Sequence, residues 1–473
     1  VSTTPDAVTP PHDLLEGPSA DTPLLAGTRR ALAHRLARSQ AECRLPSLVG
    51  AVAREDRLVW SGAAGTVGGQ PPSRDTRYRI GSITKTLTAV LVMRLRDEGR
   101  LALQDRLDDH VPGTPLGDRT IASLLSHTSG LQAETTGDWW ERTPGGSVEQ
   151  LRASLTDDVV LHPADRVHHY SNLGYGLLGA VVEHHRGRPW MDAVRDELLA
   201  PLEMRHTSYG PVAPHAEGWA VHPWADTVLS EPSSIHDAGA MAPAGQLWAS
   251  ITDLARWGCF LAGDVGDVLD ADTLEEMCEP AVVHDEDWTA GHGLGVQVFR
   301  RGDRIWVGHG GSMPGFLALL FADREQRAVA CVATNATSGI DAVAADMLDL
   351  LVTAEPRLPA PWRPARVPHD VLDLLGPWYW GPAPLSLRWR EGVLRIEELV
   401  GRTRASRFER NDDGTWTGLD GYYRGETLRA VRTPDGAVSH LELATFVFTR
   451  TPYAPDAPVP GGVDPRGWAG GDG

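Results

Sequence analysis

The placement of the strand-forming runs constrains this chain most. Two apolar runs, SLVGAVA (47–53) and RLVWSG (57–62), stand near the start and are split by the polar turn Arg54-Glu55-Asp56, a hairpin signal. Four more, GLGVQVFR, RIWVGH, FLALLFA and AVACVAT, follow between 293 and 334. The middle, about 118–280, is mostly helical in pattern (IASLLSH, LGYGLLGAVVEHH, ITDLARWGCFLAG), with long Gly and Pro loops. Helical periodicity also covers Leu25 to Ala41, Thr84 to Glu98 with Gly99 as its stop, and DAVAADMLDLLV near 350. Strands, helical insert, strands and a closing helix specify one α/β (α+β) unit whose sheet joins the first and last parts of the segment.

Proline ends that unit. In EPRLPAPWRPARVPHD (355–370) prolines break any regular element, as in a linker, and beyond it short alternating runs separated by turn signals (LSLRWR, VLRIEEL, SRFER, TWTGL, ETLRAV, AVSHLELATFVFTR) read as a small antiparallel β-barrel or sandwich. The expected organisation is a disordered arm over 1–24, an α/β domain over 25–354, a linker over 355–370, a small β-barrel over 371–453 and a disordered tail over 454–473. With 473 residues, 41% of them hydrophobic, the chain can bury a full core.

Charge narrows the partners. A net charge of -19 with no basic run leaves no footprint for nucleic acid or anionic lipid, so small or neutral partners are expected. No apolar run reaches membrane-spanning length, and the first 24 residues lack the basic cluster and apolar stretch of a signal peptide; the expectation is a cytoplasmic chain without membrane attachment. Cys43, Cys259, Cys278 and Cys331 are scattered without CxxC spacing, which gives neither a zinc site nor a disulfide framework and leaves four buried thiols.

Lys85 is the one lysine among 44 basic residues, and asparagine occurs only at 172, 335 and 411. This joint scarcity fits a GC-rich genome, yet one lysine persists. Ser82 lies three residues before it at the start of a helical pattern, which puts the two side chains on one face about a turn apart. A serine hydroxyl needs a neighbouring base, and a desolvated amine can lose its proton near neutral pH, whereas a guanidinium stays protonated. A second box, Tyr170-Ser171-Asn172, precedes LGYGLLGAVVEHH; its phenol could relay protons and its amide could bind a carbonyl, or Asn172 could simply cap the helix. A third, His309-Gly310-Gly311-Ser312, sits at a strand edge where glycines let a ligand approach the backbone, although a histidine beside glycines also suits a plain turn.

The three boxes SxxK, YxN and HGG, in that order, together resemble the serine β-lactamase and penicillin-binding-protein superfamily, especially its class C β-lactamase-like branch of esterases, D-aminopeptidases and DD-peptidases. RIGSITKTLTAVLVMRLRDEGRLALQDRL, IASLLSHTSGL, HYSNLGYGLLG, LEMRHTSYG, PAGQLWASITDLARWG and GHGGSMPGF carry the likeness over about 25–353. It implies a β-lactamase/transpeptidase-like antiparallel sheet flanked by helices plus a helical subdomain, with the site between them. It further implies Ser82 as acylated nucleophile, Lys85 as its base, Tyr170 as proton shuttle, and Asn172 as a substrate-orienting amide. His309, Gly310 and Gly311 would line the substrate, and the N–H groups of Ser82 and Ser312 would form the oxyanion hole. No metal or cofactor is implied. His127 in LSHTSGL looks family-typical and is read as structural; Trp139 and Trp140 either line the cleft mouth or pack.

The third box departs from the Lys-Thr-Gly usual in β-lactamases, replacing a fixed cation by a group largely neutral at pH 7. Efficient β-lactamase or carboxypeptidase action is therefore not expected, and since His in this box is a feature of esterase, D-aminopeptidase and peptide-cyclising relatives, the resemblance implies ester, amide or thioester acyl transfer instead. The expected function is a serine hydrolase or acyltransferase working through acyl-Ser82 on ester or amide substrates, including peptides with D-residues. One alternative is a penicillin-binding-protein-type thioesterase that cyclises nonribosomal peptides from a carrier-protein-bound thioester; another is a non-catalytic ligand-binding relative. The C-terminal runs resemble the lipocalin-like domains appended to some of these hydrolases.

Overall fold

The computed structural model describes residues 12–13 and 24–452, apart from 115, 117, 232–236, 360 and 400–403. The arm expected over 1–24 and the tail over 454–473 therefore fall outside the described residues, save for the backbone of His12–Asp13 and for Leu24. Contacts divide the chain into two compact units, Val1–Leu358 and Pro359–Gly473.

The first unit holds a nine-stranded antiparallel sheet. Its strands are β1 (His12–Asp13), β2 (Ser47–Arg54), β3 (Arg57–Gly65), β4 (Val282–Val283), β5 (Ala290–His292), β6 (Gln297–Arg301), β7 (Arg304–Met313), β8 (Phe316–Asp323) and β9 (Ala328–Thr334). They lie in the order β1-β3-β2-β9-β8-β7-β6-β5-β4, so the early hairpin does join the late strands, through pairing of β2 with β9. The helices that matter below are α1 (Ala26–Glu42), α2 (Thr84–Asp97), α3 (Asn172–Arg186), α4 (Ile251–Leu261) and α5 (Val343–Ala354).

Both faces of the sheet are covered, and the period of two decides which residue goes where. Leu48, Val52, Ala330 and Val332 face α1 and α5, meeting Leu32, Leu36, Met347 and Leu348. Val49, Ala51, Ala53, Val329 and Cys331 face the other way, toward the larger core that includes Leu254, Trp257 and Phe260 of α4. Gly258 lets α4 lie close, since a Cβ there would come within 2.3 Å of Val329. Near-continuous apolar runs such as AVACVAT are what a sheet buried on two faces requires.

α2 runs through this core with every residue from Thr84 to Met93 buried. Its threonines are satisfied internally: Thr86 Oγ1 accepts from Trp257 Nε1 at 2.7 Å and Thr88 Oγ1 donates to the Pro243 carbonyl at 2.9 Å. The apolar stripe expected from Leu87, Val90, Leu91 and Leu95 is thus one part of a helix buried nearly all round. Gly99, at φ 69°, follows its end.

Three sequence expectations need correction in detail. GLGVQVFR is strand only from Gln297, because Gly295 sits at φ 89° and a Cβ on Gly293 would meet the Met277 carbonyl at 2.1 Å, while β5 ahead of it was not anticipated. The middle segment also contains short strands, Thr207–Ser208, Gly218–Val221, Val228–Glu231 and Trp248–Ser250; the last pairs with Arg77–Arg79. They are too short to show a period of their own. All four cysteines are free, but Cys43 is only partly buried.

The second unit is a closed barrel of eight antiparallel strands, from Gly376–Trp380 to Phe446–Thr449. Inward positions, among them Trp378, Leu387, Leu394, Ile396, Phe408, Trp416, Leu428 and Leu441, fill it. Closure removes the free edges that short strands would otherwise expose. Among the described residues no helix is long and apolar enough to cross a membrane.

Candidate active site

Ser82 lies in a one-turn 3₁₀ helix, Gly81–Ile83, that runs straight into α2. Gly81 takes φ 50°, and a Cβ there would come within 2.5 Å of the Ser312 nitrogen, so only glycine lets this turn sit against β7. Lys85, three residues on, is fully buried. Its Nζ lies 3.0 Å from Ser82 Oγ, 2.6 Å from Asn172 Oδ1 and 2.6 Å from the Ala244 carbonyl oxygen. A neutral amine has two N–H groups and one lone pair. Two partners here can only accept, so they take the two N–H groups and leave the lone pair facing the Ser82 hydroxyl. Burial lowers the Lys85 pKa to about 7, against the opposing pull of the Glu134 and Glu141 carboxylates, so the neutral form is well populated at neutral pH.

Tyr170 and Asn172 are held by a network that the sequence showed only in part. Ser171, rather than Asn172, caps α3: its Oγ accepts from the Gly174 N–H at 3.0 Å and donates to the Gln132 carbonyl at 2.7 Å. The Asn172 amide is thereby left free for the site, its Oδ1 toward Lys85 and its Nδ2 donating to Glu134 Oε1 at 2.8 Å. Glu134 Oε2 accepts from Trp140 Nε1 at 2.6 Å, which fixes the carboxylate and, through it, the orientation of the amide. Nothing in the LQAETT segment signals this role; only tertiary structure brings Glu134 to Asn172.

The Tyr170 hydroxyl is hydrogen-bonded with Ser82, and burial raises its pKa above the ordinary value, so it is a neutral phenol able to donate a proton. Its ring stacks on His127 at 4.3 Å. His127 is buried at φ 59°, its Nδ1 accepts the Ser171 N–H at 3.0 Å, and its carbonyl accepts the His169 N–H at 2.8 Å. These contacts match the structural role expected for it. Of the two tryptophans, Trp140 is buried in the core, whereas Trp139 is exposed and donates to Glu141 Oε2 at 2.9 Å.

The third box is strand, not turn. β7 continues through His309, Gly310, Gly311 and Ser312, opposite Leu320, Leu319, Ala318 and Leu317 of β8. On its other side β6 stops at Gln297, opposite Gly308, and the Gly310 N–H donates instead to Gln297 Oε1 at 3.1 Å. Alternate N–H groups of a strand point the same way, so the Ser312 N–H faces this open side. A Cβ on Gly311 would lie 1.9 Å from the Ile80 carbonyl oxygen, so the absence of a side chain there is what lets the turn carrying Ser82 press against the strand. His309 is buried, and burial together with the Lys85 charge lowers its pKa to about 3, so this position carries no cation.

A cavity of about 310 Å³ opens over these groups, lined by Ser82, Tyr170, Gln297, His309, Ser312 and Asp341 among others. Every residue expected from the three boxes is therefore brought to one place. Sequence reasoning missed Glu134, Ser171 as the cap, Gln297, and Asp341, an exposed carboxylate on the cavity wall.

Residues 30–354 match the family model described as Beta-lactamase, and residues 367–450 match one described as a domain of unknown function, DUF7586. Beta-lactamase-like protein 2 of Dictyostelium discoideum is 28% identical over 286 residues, 56% of this chain and 51% of that protein. Penicillin-binding protein 4 of Amycolatopsis lactamdurans is 38% identical over 143 residues, 28% of this chain and 36% of that protein. The chain thus matches about half or less of these curated relatives' length. Among solved structures, a D-stereospecific amidohydrolase from Streptomyces sp. is similar at TM-score 0.58 and 27% identity, over 68% of this chain and 98% of that one. SurE is similar at TM-score 0.57 and 26% identity, over 90% of this chain and 99% of that one.

Proposed function

The chain belongs to the β-lactamase family of serine hydrolases, and from that premise we propose that it transfers acyl groups through an ester formed on Ser82. The observation that carries this reading is the fully buried Lys85 amine, 3.0 Å from Ser82 Oγ, with the two acceptors Asn172 Oδ1 and the Ala244 carbonyl as its other partners. In the first step Ser82 Oγ attacks the substrate carbonyl carbon as its proton passes to Lys85 Nζ. The oxyanion is held by the N–H groups of Ser82 and Ser312. Collapse breaks the bond to the leaving alcohol or amine, which takes its proton by way of the Tyr170 hydroxyl. Water, or an amine, then attacks the acyl carbon and frees Ser82, with Tyr170 and Lys85 carrying the proton in reverse.

Esters and amides whose acyl side bears an amine are the proposed donors. His309 supplies no cation for a substrate carboxylate, while Asp341 on the cavity wall is suited to an ammonium group. The D-configuration named for the Streptomyces amidohydrolase, and the D-Leu with which SurE was solved, support a donor residue of D-configuration. A cyclising reaction would use the same acyl-Ser82 with an amine of the acyl chain in place of water, and product mass separates the two.

The test is intact-mass measurement after incubation with an activated ester, a fluorophosphonate and a penicillin, on wild type and Ser82→Ala. One adduct on wild type and none on the variant is expected. Wild type unlabelled by every probe, or a variant labelled equally, overturns the assignment. D- and L-amino-acid amides compared by kcat/KM then test the donor class, with equal rates refuting the D-preference.

A further inference from the structure

Beside this site lies a group of side chains that the acyl chemistry does not use. β4 and β5 form a hairpin edge in which His292 pairs with Val282 and Gly291 with Val283, and the His284 N–H donates to the Ala290 carbonyl at 2.9 Å. His284 and His292 are therefore diagonal neighbours, and alternation along the strands turns both imidazoles to one face. His168 reaches the same place from the segment that carries Tyr170, two residues ahead of it. The ring centroids lie 4.0 Å apart for His168 and His284, 5.1 Å for His168 and His292, and 5.0 Å for His284 and His292.

One nitrogen from each ring falls within 4.8 Å of the other two. His284 Nε2 and His292 Nδ1 are 2.8 Å apart, whereas His168 Nε2 and His292 Nε2 are buried and make no hydrogen bond within the protein. Each neutral imidazole has one nitrogen lone pair, so the three rings together can offer one ligand nitrogen apiece. The neighbouring acid does not complete the set as a ligand, because the Asp285 carboxylate already accepts from the Thr289 N–H at 2.9 Å and Thr289 Oγ1 at 2.6 Å. An all-imidazole set suits zinc and its neighbours, with metal–nitrogen bonds of about 2.0–2.1 Å, and does not suit magnesium or calcium.

We propose that His168, His284 and His292 form a binding site for a divalent transition-metal ion of the zinc class, with the fourth position left to water. His284 is exposed, so its ring is free to turn toward the ion, and His284 and His292 are both carried on the same hairpin. Occupancy would tie the segment that carries Tyr170 to the edge of the sheet. This inference is independent of the acyl-transfer reading.

The test uses the full chain without a histidine tag, titrated with Zn²⁺ by calorimetry and with Co²⁺ by visible absorption. One ion per chain is expected, with tetrahedral Co²⁺ bands and a rise in Tm at saturating Zn²⁺. His284→Ala, at an exposed position that leaves the core intact, is expected to weaken binding at least tenfold and abolish the bands, and His168→Ala likewise. His185→Ala, which breaks a partly buried histidine pair with His110 (2.9 Å) elsewhere in the domain, is expected to leave binding unchanged. Absence of saturable binding to wild type, equal affinity in His284→Ala, or loss in His185→Ala alone would overturn the proposal.

Discussion

Replacing Lys85 by arginine keeps the charge and removes the proposed base. With a pKa of about 7, roughly half of the Lys85 amines are neutral at pH 7 and present a lone pair to Ser82. An ordinary guanidinium is neutral in only about one molecule in 10⁶ at that pH; even if burial lowered its pKa as far as it does the lysine's, the fraction would be about 0.3 per cent. Space compounds the loss: Nζ already has partners at 2.6, 2.6 and 3.0 Å, so a larger planar group must push on Asn172, Ala244 and Ser82. Overpacking of this kind costs about 1–3 kcal/mol. General-base catalysis contributes about 10²–10⁴ in rate, so Lys85→Arg is expected to lose about 10³-fold in kcat/KM on an uncharged nitrophenyl ester, at a modest cost in Tm. The pH profile carries the sign. With Lys85 as the proposed base the active form is the unprotonated amine, so wild-type kcat/KM should rise with a midpoint near pH 7 and level above it, and the variant should show no such rise between pH 5 and 9. A variant that keeps more than a tenth of wild-type activity, or a wild-type profile flat from pH 5 to 8, refutes the base role.

Three further perturbations probe the groups around that pair. Tyr170→Phe deletes the hydroxyl bonded to Ser82, and kcat is expected to fall about 10²–10⁴-fold with KM little changed; a loss confined to KM would argue against a proton relay. Glu134→Gln leaves one amide oxygen to serve the two donors Asn172 Nδ2 and Trp140 Nε1, which costs about 1–3 kcal/mol. Since the Glu134 carboxylate raises the Lys85 pKa, the midpoint of the pH profile should also move downward, and an upward shift would contradict the electrostatics described. Gly311→Ala places a methyl 1.9 Å from the Ile80 carbonyl oxygen, so the turn carrying Ser82 must separate from β7. Activity should fall at least 10²-fold together with Tm, and a fully active, equally stable variant would mean that the close approach is not required.

The chain's own order of residues determined a good deal. Strand runs on either side of a helical insert specified a sheet joining residues near 50 to residues near 330, because a segment apolar at every position can be satisfied only where both faces are covered, as AVACVAT is. Ser82 and Lys85 were legible as a pair because three residues of helix bring them together whatever the rest of the molecule does. Their protonation and partners were not legible. Burial from every side lowers the amine's pKa, and the acceptors that orient its lone pair come from Asn172 and the Ala244 carbonyl, far away in sequence. Local patterns could not separate Asn172 as cap from Asn172 as ligand. That was decided by Ser171 taking the cap and Glu134 taking the Asn172 Nδ2, both set by how the loops pack. Short-range spacing fixes what the backbone alone can bring together, whereas protonation states, amide orientation and the three-histidine cluster depend on desolvation and on partners that only the folded chain assembles.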